Sequence, residues 1–199
     1  MLFRSLREVR RAYRADRSDM IWLPEHIEGF AAVASAELQQ ALMLALHTGQ
    51  RQGDLVRLTW SAYDGRAISL RQGKGKVRVR VPCTQALKAM LDEMEKNKRA
   101  AVILTTSSGR PWKGKNLQHR WKAATTKAGI EGLHFHDLRG TAVTMLSEAG
   151  CTPQEIAAIT GHSLRHVSQI LDRYLARTRE LAENAICKLD CKLARGGWS

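Results

Sequence analysis

The sequence predicts a mainly α chain with a small antiparallel β-sheet, an α+β arrangement. Three observations predict it. Apolar residues recur at helical spacing, between recognisable start and stop signals, over most of the 199 residues. Between Ala67 and Pro82 the apolar period drops to two, on either side of a Gly-Lys-Gly-Lys turn. Hydrophobic content of 44% with only 6% aromatics suits a globular helical core and argues against disorder.

Residues 1–21 are basic and show little apolar periodicity, so they read as a linker or the remnant of an upstream region. Trp22 to Pro24 opens the ordered domain, with Pro24 and Glu25 suited to a helix first turn. In "SAELQQALMLALHTG", Ser35 can cap, Leu38, Leu42 and Ala45 share a face, and Gly49 can end the helix. "GDLVRLTW" reads as a short helix. "AISLRQ", the turn and "VRVRVP" form a hairpin, in which Val77, Val79 and Val81 alternate with Arg78 and Arg80. "TQALKAMLDEMEKN" is an amphipathic helix. "AVILTT" reads as a short buried strand closed by Ser108-Gly109, so the β part is either the hairpin alone or a three-stranded sheet. "NLQHRWKAATTKAG" is a helix stopped by Gly129, and from His136 onward the pattern is helical. Thr152, Pro153 and Glu155 form a capping box, Gly161 ends that helix, and Ser163 can cap the next. "TRELAENAICKL" is a final helix or tail. The organisation expected is a linker over 1–21, one domain over 22–187 and a tail over 188–199.

Charge narrows the partner. The formal net charge is +13. Seven basic residues and no acid lie between Gly65 and Leu91, and nine basic residues with no acid run from Lys96 to Ile130. Two such stretches in one domain point to a surface that tracks phosphates, and so to nucleic acid. A membrane-spanning role is excluded by the apolar runs, the longest of which, Ala41 to Leu46, is far too short. The amino terminus lacks the sustained apolar core of a secretory signal. Cys83, Cys151, Cys187 and Cys191 have no zinc-ligand spacing and read as reduced cytosolic thiols.

Six residues stand out. Arg51 follows the helix ended by Gly49, Lys74 sits at the hairpin tip, and His136 and Arg139 stand three apart where a helix begins. His162 follows Gly161, and Tyr174 lies on the next helix. Each has an ordinary explanation. Arg51 can cap the preceding carbonyls, Lys74 can be a solvated turn lysine, His162 can cap a helix, and Tyr174 can be a half-buried aromatic. Together they describe phosphoryl-transfer chemistry. Two guanidiniums can clamp the non-bridging oxygens of a pentavalent phosphorane. Two imidazoles can donate to the same oxygens or move a proton. A lysine on a mobile hairpin can protonate a leaving 5′ oxygen, and a phenol amid positive charge can attack. His136 and Arg139 also sit where a helix N-terminus favours an anion.

"HTGQRQGDL", "GKGKVRVRVP", "HDLRGTAVTML", "ITGHSLRHV" and "ILDRYLART", in that order, resemble the tyrosine recombinases, particularly phage-type integrases. The resemblance covers roughly residues 22–187. It implies the tyrosine recombinase catalytic-domain fold, and it puts the family's catalytic set on Arg51, Lys74, His136, Arg139, His162 and the nucleophile Tyr174. Where the family usually has Glu three residues after the first arginine, this chain has Asp54, a shorter carboxylate expected to support the arginine. His134 and His166 lie close enough to compete for assignment, but the His-x-x-Arg frame and the Gly-His pair fix the register.

The resemblance further implies a site-specific DNA recombinase or integrase that cuts and rejoins strands through a 3′-phosphotyrosine, without ATP, metal or other cofactor. No GxxxxGK[ST] phosphate loop and no carboxylate cluster for two metals is present in the sequence. The partners implied are double-stranded DNA and a homotetramer on two duplexes, the free chain being a monomer, with residues 177–199 docking in cis or in trans. Family members carry an amino-terminal helical domain, for which residues 1–21 are too short, so the chain looks like the catalytic half with its interdomain linker. A nucleoid-associated, cytoplasmic setting follows. The rivals are a type IB topoisomerase-like DNA-relaxing enzyme and a non-catalytic DNA-binding module.

Overall fold

The computed structural model describes residues 20–175 and 180–194. The basic linker expected over 1–21 falls almost wholly outside the described residues, as do residues 195–199 of the expected tail. Nine α-helices and one hairpin follow in chain order among the described residues: α1 (Pro24–Val33), α2 (Ala36–Thr48), α3 (Gln52–Leu55), β1 (Ala67–Arg71), β2 (Arg78–Pro82), α4 (Gln85–Lys96), α5 (Gly114–Lys127), α6 (Leu138–Glu148), α7 (Pro153–Thr160), α8 (Leu164–Leu175) and α9 (Glu180–Ala194). Short 3₁₀ turns occupy Trp60–Ala62 and Phe135–Asp137. No described helix is long and apolar enough to cross a membrane.

Caps set the boundaries. Pro24 opens α1 at a position whose N–H would have no helical partner. Thr84 accepts from the Leu87 amide at 3.2 Å and starts α4. Thr152 and Glu155 close a reciprocal capping box on α7, with the Thr152 amide on Glu155 Oε2 at 2.6 Å. The Ser163 hydroxyl accepts from the His166 amide at 3.3 Å and starts α8. The terminal segment is helical over Glu180–Ala194.

Burial divides the helices into two packed groups. The larger core gathers α1, α2, α4, α5 and the loop ahead of α6, and its centre is aromatic. Phe30 lies 4.2 Å from Trp121 and Trp121 lies 4.6 Å from Phe135, ring centre to ring centre, with Trp22 edge-on to Phe30. Trp22 also donates its backbone N–H to Thr141 Oγ1 at 2.9 Å and its indole N–H to the His134 carbonyl at 3.1 Å. Those two bonds tie the start of the described chain to both ends of the His136–Arg139 stretch. The smaller core packs Val143 of α6 and Ile156 of α7 against Val167, Ile170 and Leu171 of α8. Helix α6 is therefore shared, with α2 on one side and α7 and α8 on the other.

The hairpin is a two-stranded antiparallel sheet in register Ile68↔Val81 and Leu70↔Val79. Ile68, Val79 and Val81 are buried while Arg78 and Arg80 face out, as the alternation predicts. Two expectations need correcting. Val77 lies beyond β2 and is 43% exposed, because Gln72 N–H to Val77 O, at 2.8 Å, already closes the turn there. "AVILTT" adds no third strand. Ile103 and Leu104 are buried, which explains the apolar run, but the segment pairs only at the isolated bridges Thr59↔Val102 and Thr105↔Pro111.

Candidate active site

The site is built where the C-termini of two helices converge. Gly49 ends α2 at φ 61° and Gly161 ends α7 at φ 68°, both left-handed, a conformation that costs any residue with a Cβ. Close approach adds a second reason for glycine. A Cβ at 49 would lie 2.7 Å from Thr160 Cγ2, and one at 161 would lie 2.5 Å from Gln72 Nε2. Helix ends expose carbonyls that need donors. Here the donors come from Arg139, Gln50 and Gln72.

Arg139, in the first turn of α6, is buried at 4% exposure. Its Nη1 donates to the Gly49 carbonyl and its Nε donates to His162 Nε2 at 2.9 Å. Because His162 Nε2 accepts that bond, the ring proton sits on Nδ1, which faces Thr160 Oγ1 at 2.9 Å. Thr160 in turn donates to the Ile156 carbonyl at 2.7 Å. Arg139 Nη2 is buried with no hydrogen-bond partner among the described residues. Arg51 stands at the N-terminal boundary of α3 and donates Nη1 to Gln72 Oε1 at 3.1 Å. Arg51 therefore does not cap α2 through the Gly49 carbonyl; Arg139 holds that acceptor. Gln72 donates Nε2 to Gln50 Oε1 at 2.7 Å and to the Thr160 carbonyl at 2.8 Å.

The electrostatics record how close these groups are. Burial, then the Arg51 guanidinium, lowers the Arg139 pKa to about 9, and Asp54 works in the opposite direction. The His162 pKa falls to about 2, first through burial and then through Arg139, His166, Arg51 and His136. His162 is thus neutral at physiological pH. Besides burial and His166, the field that keeps it neutral comes from both arginines and from His136, three of the six residues singled out in the sequence. The exposed His166 ring lies 4.9 Å from that of His162, tilted by 48°.

Lys74 and Arg51 line one open cleft of about 530 Å³, together with Asp54, Arg71, Gln72 and Lys76. His136 is exposed in the 3₁₀ turn before α6 and lines a second cavity, of about 570 Å³, with Gln52, Trp121 and Phe135. Tyr174 stands apart from this group. It is half-buried on α8, and its hydroxyl donates to Glu148 Oε1 at the far end of α6. Nine residues separate Glu148 from Arg139, so about 13 Å of helix lies between the phenol's acceptor and the arginine. Asp54 also departs from expectation. Its Oδ1 accepts from the Gly73 amide at 2.8 Å and pairs directly with Arg57 at 3.1 Å, so it anchors the hairpin, while on the site arginine Arg139 it acts through its field.

The sequence profile described as the phage integrase family matches residues 23–180, most of the chain. The chain belongs to the phage integrase family. A shufflon-specific DNA recombinase of Escherichia coli is 34% identical over 152 residues, covering 75% of this chain and 36% of that protein. The integrase of Salmonella phage P22 is 26% identical over 144 residues, covering 65% of this chain and 37% of that one. Among solved structures, Lambda integrase residues 75–356 bound to DNA superposes with a TM-score of 0.62 at 22% identity, over 72% of this chain and 55% of that chain. The Tn1549 transposon integrase with a circular intermediate DNA gives 0.67 at 18% identity, over 85% and 66%. These structural likenesses establish the integrase catalytic-core fold. The chain spans between 36% and 54% of the length of the curated relatives it matches.

Sequence reading missed Gln50, Gln72 and Thr160. All three are at most 1% exposed. Nothing local marks them, since glutamine and threonine are ordinarily surface residues and only the convergence of α2, the hairpin and α7 buries them. The one available signal was the pair of glycines, Gly49 and Gly161, each within two residues of an expected site residue.

Proposed function

We propose that this chain is the catalytic domain of a tyrosine-type site-specific DNA recombinase, with residues 22–187 as its functional unit and Arg51, Lys74, His136, Arg139, His162 and Tyr174 as its catalytic set. One observation carries the reading. Arg139 is bonded to His162 at 2.9 Å within the field of Arg51, so two guanidiniums and an imidazole surround one small region. Concentrated positive charge around a neutral imidazole is costly by itself, and a phosphate would relieve it.

In the forward step, Tyr174 Oη attacks a backbone phosphorus and the bond from phosphorus to O5′ breaks. The phenolic proton passes to His136, and Lys74 on its hairpin protonates the departing 5′ oxygen. Arg51 and Arg139 clamp the non-bridging oxygens, and once the phosphate has offset the cations His162 takes up a solvent proton at Nε2 and donates it to one of them. A 5′-hydroxyl from a partner duplex then reverses the sequence. Each step exchanges one phosphoester for another, so the energy of the cut bond is kept in the phosphotyrosine and ATP is not required. For Tyr174 to act, its hydroxyl leaves Glu148 and its helix end moves toward Arg139. The assembly proposed is a homotetramer on two DNA duplexes, in the cytoplasm and at the nucleoid.

Covalent trapping tests the reading whatever the target sequence. The chain is incubated with duplexes nicked near the cutting position and randomised on both sides, so that a cleaved fragment diffuses away. Denaturant-stable adducts are recovered and their DNA is sequenced. A defined set of sequences, lost with Tyr174→Phe, is the expected result. Binding without any adduct would leave a DNA-binding module instead.

A further inference from the structure

Gln72 has no part in the chemistry above, yet its side chain makes three hydrogen bonds at the site. It is 1% exposed. Its amide meets three residues on two segments of the chain. Oε1 accepts from Arg51 Nη1 at 3.1 Å, and Nε2 donates to Gln50 Oε1 at 2.7 Å and to the Thr160 carbonyl at 2.8 Å. The orientation is forced. Arg51 can only donate and the Thr160 carbonyl can only accept, so oxygen must face the first and nitrogen the second. Gln50 is fixed in turn, its Nε2 on the Thr48 carbonyl at 2.9 Å and the Ile159 carbonyl at 3.0 Å.

Two consequences follow. A free guanidinium on a loop residue has several rotamers, and its average position is poorly defined. Gln72 holds Arg51 in one of them, against a carbonyl of the same residue, Thr160, whose hydroxyl faces His162 Nδ1. The anchor also travels with the hairpin. Gln72 directly precedes the Gly73–Gly75 turn bearing Lys74, and the Gly73 amide is pinned to Asp54. A single neutral amide thus relates the positions of Arg51, Lys74 and His162. Neutrality matters, because a carboxylate at this place would compete with the phosphate for Arg51.

We propose that Gln72 is a positioning residue for phosphate clamping, acting through Arg51. This rests on the recombinase reading of the site. The test uses the full chain and the duplex selected by covalent trapping. Single-turnover adduct formation is measured for Gln72→Met, which keeps the volume and loses all three bonds. Adduct formation should slow by about 10-fold at saturating DNA, with the half-saturating DNA concentration unchanged. The same substitution in an Arg51→Ala background should cause no further slowing, since the group it positions is gone. A merely structural role would slow both backgrounds by the same factor, and that result, or an unchanged rate in the single variant, overturns the proposal. Gln72→Glu provides a second arm. It retains an acceptor for Arg51 but has no donor for the Thr160 carbonyl, and it too should be slow only when Arg51 is present. If neither variant gives a cooperative melt, Gln72 is a structural pillar and the positioning role is lost. If wild-type protein forms no adduct at all, the recombinase reading itself has failed, which the binding controls distinguish.

Discussion

Arg139 Nε donates to Nε2 of His162 at 2.9 Å, so the most buried cation of the site rests on an imidazole that must stay neutral to receive it. The bond fixes the tautomer and couples two segments 23 residues apart in the chain. It also sets a conflict. Protonating His162 would break the bond and place two positive groups in contact, away from water. Burial and four neighbouring basic groups all push against that protonation.

Acid should therefore unfold this chain through His162. The folded pKa is depressed from 6.5 to about 2. The stability linked to this group is fully present above pH 6.5 and is lost as pH falls from 6.5 toward the folded value, because the unfolded chain takes up a proton that the folded chain refuses. One proton contributes a slope of at most about 1.4 kcal/mol per pH unit. Chemical denaturation between pH 7 and 4 should show that slope, and His162→Asn should flatten it. An unchanged slope in the variant would mean that another group drives acid unfolding.

An oxyanion should stabilise the folded chain through the same pair. Arg139 Nη2 is buried without a partner among the described residues, and Arg51 lies close enough to lower the Arg139 pKa. Inorganic phosphate at ten times its Kd should add about 1.4 kcal/mol, or roughly 2–4 °C of melting temperature per kcal/mol for a chain of this size. Arg139→Met should abolish the gain, and its own melting temperature in chloride should fall, because the buried Gly49 carbonyl and His162 Nε2 lose their donor. Equal gains in both proteins would point to general salting-out rather than a site.

Much of this arrangement is legible in the sequence. Start and stop residues such as Pro24, Gly49, Thr152 and Gly161 act locally, so their helices end where they predict. The hairpin is legible for the same reason, because alternation and a glycine turn are local signals. "AVILTT" is not, since burial of Ile103 and Leu104 produces the same apolar run whether or not a neighbouring strand lies alongside. At the site, charge and family spacing pick out Arg51, Arg139 and His162, which the fold brings together. The amides that hold them are invisible beforehand. Gln50 and Gln72 owe their burial to contacts 109 and 88 residues away in the chain, and no local pattern encodes such pairings. The position of Tyr174 depends on Glu148, whose relation to it is likewise set by how α6 and α8 pack.

Glycine at 49 should be irreplaceable for two additive reasons. An alanine there would carry a left-handed φ of 61° and would drive its Cβ to 2.7 Å from Thr160 Cγ2. The first effect alone costs about 1–2 kcal/mol, and the second moves Thr160 away from both His162 and Gln72. Gly49→Ala should lower the melting temperature by about 4–8 °C and slow adduct formation further than the stability loss explains. Gly53→Ala serves as a control, since nothing lies within 4 Å of a Cβ at that position. Similar melting curves for the two variants would show that the α2 end is looser than its contacts imply.

Glu148 should act as a brake on cleavage. Tyr174 donates its hydroxyl to Glu148 Oε1, and the reaction proposed for it requires that bond to break before the phenol reaches the arginines. A hydrogen bond to a charged partner stabilises by about 1.5–3 kcal/mol, but Glu148 is exposed, and screening by water and salt reduces the effect to the lower end or below it. Glu148→Ala should accordingly speed single-turnover adduct formation by about 2- to 10-fold. The gain should shrink as salt is raised, because the wild-type restraint itself weakens, while the variant's rate relative to its own DNA occupancy stays level. Glu148→Gln, which keeps an acceptor but loses the charge, should fall between the two. A rate that drops in Glu148→Ala would reverse the assignment and make the carboxylate a helper of the phenol, for instance as the group that receives its proton.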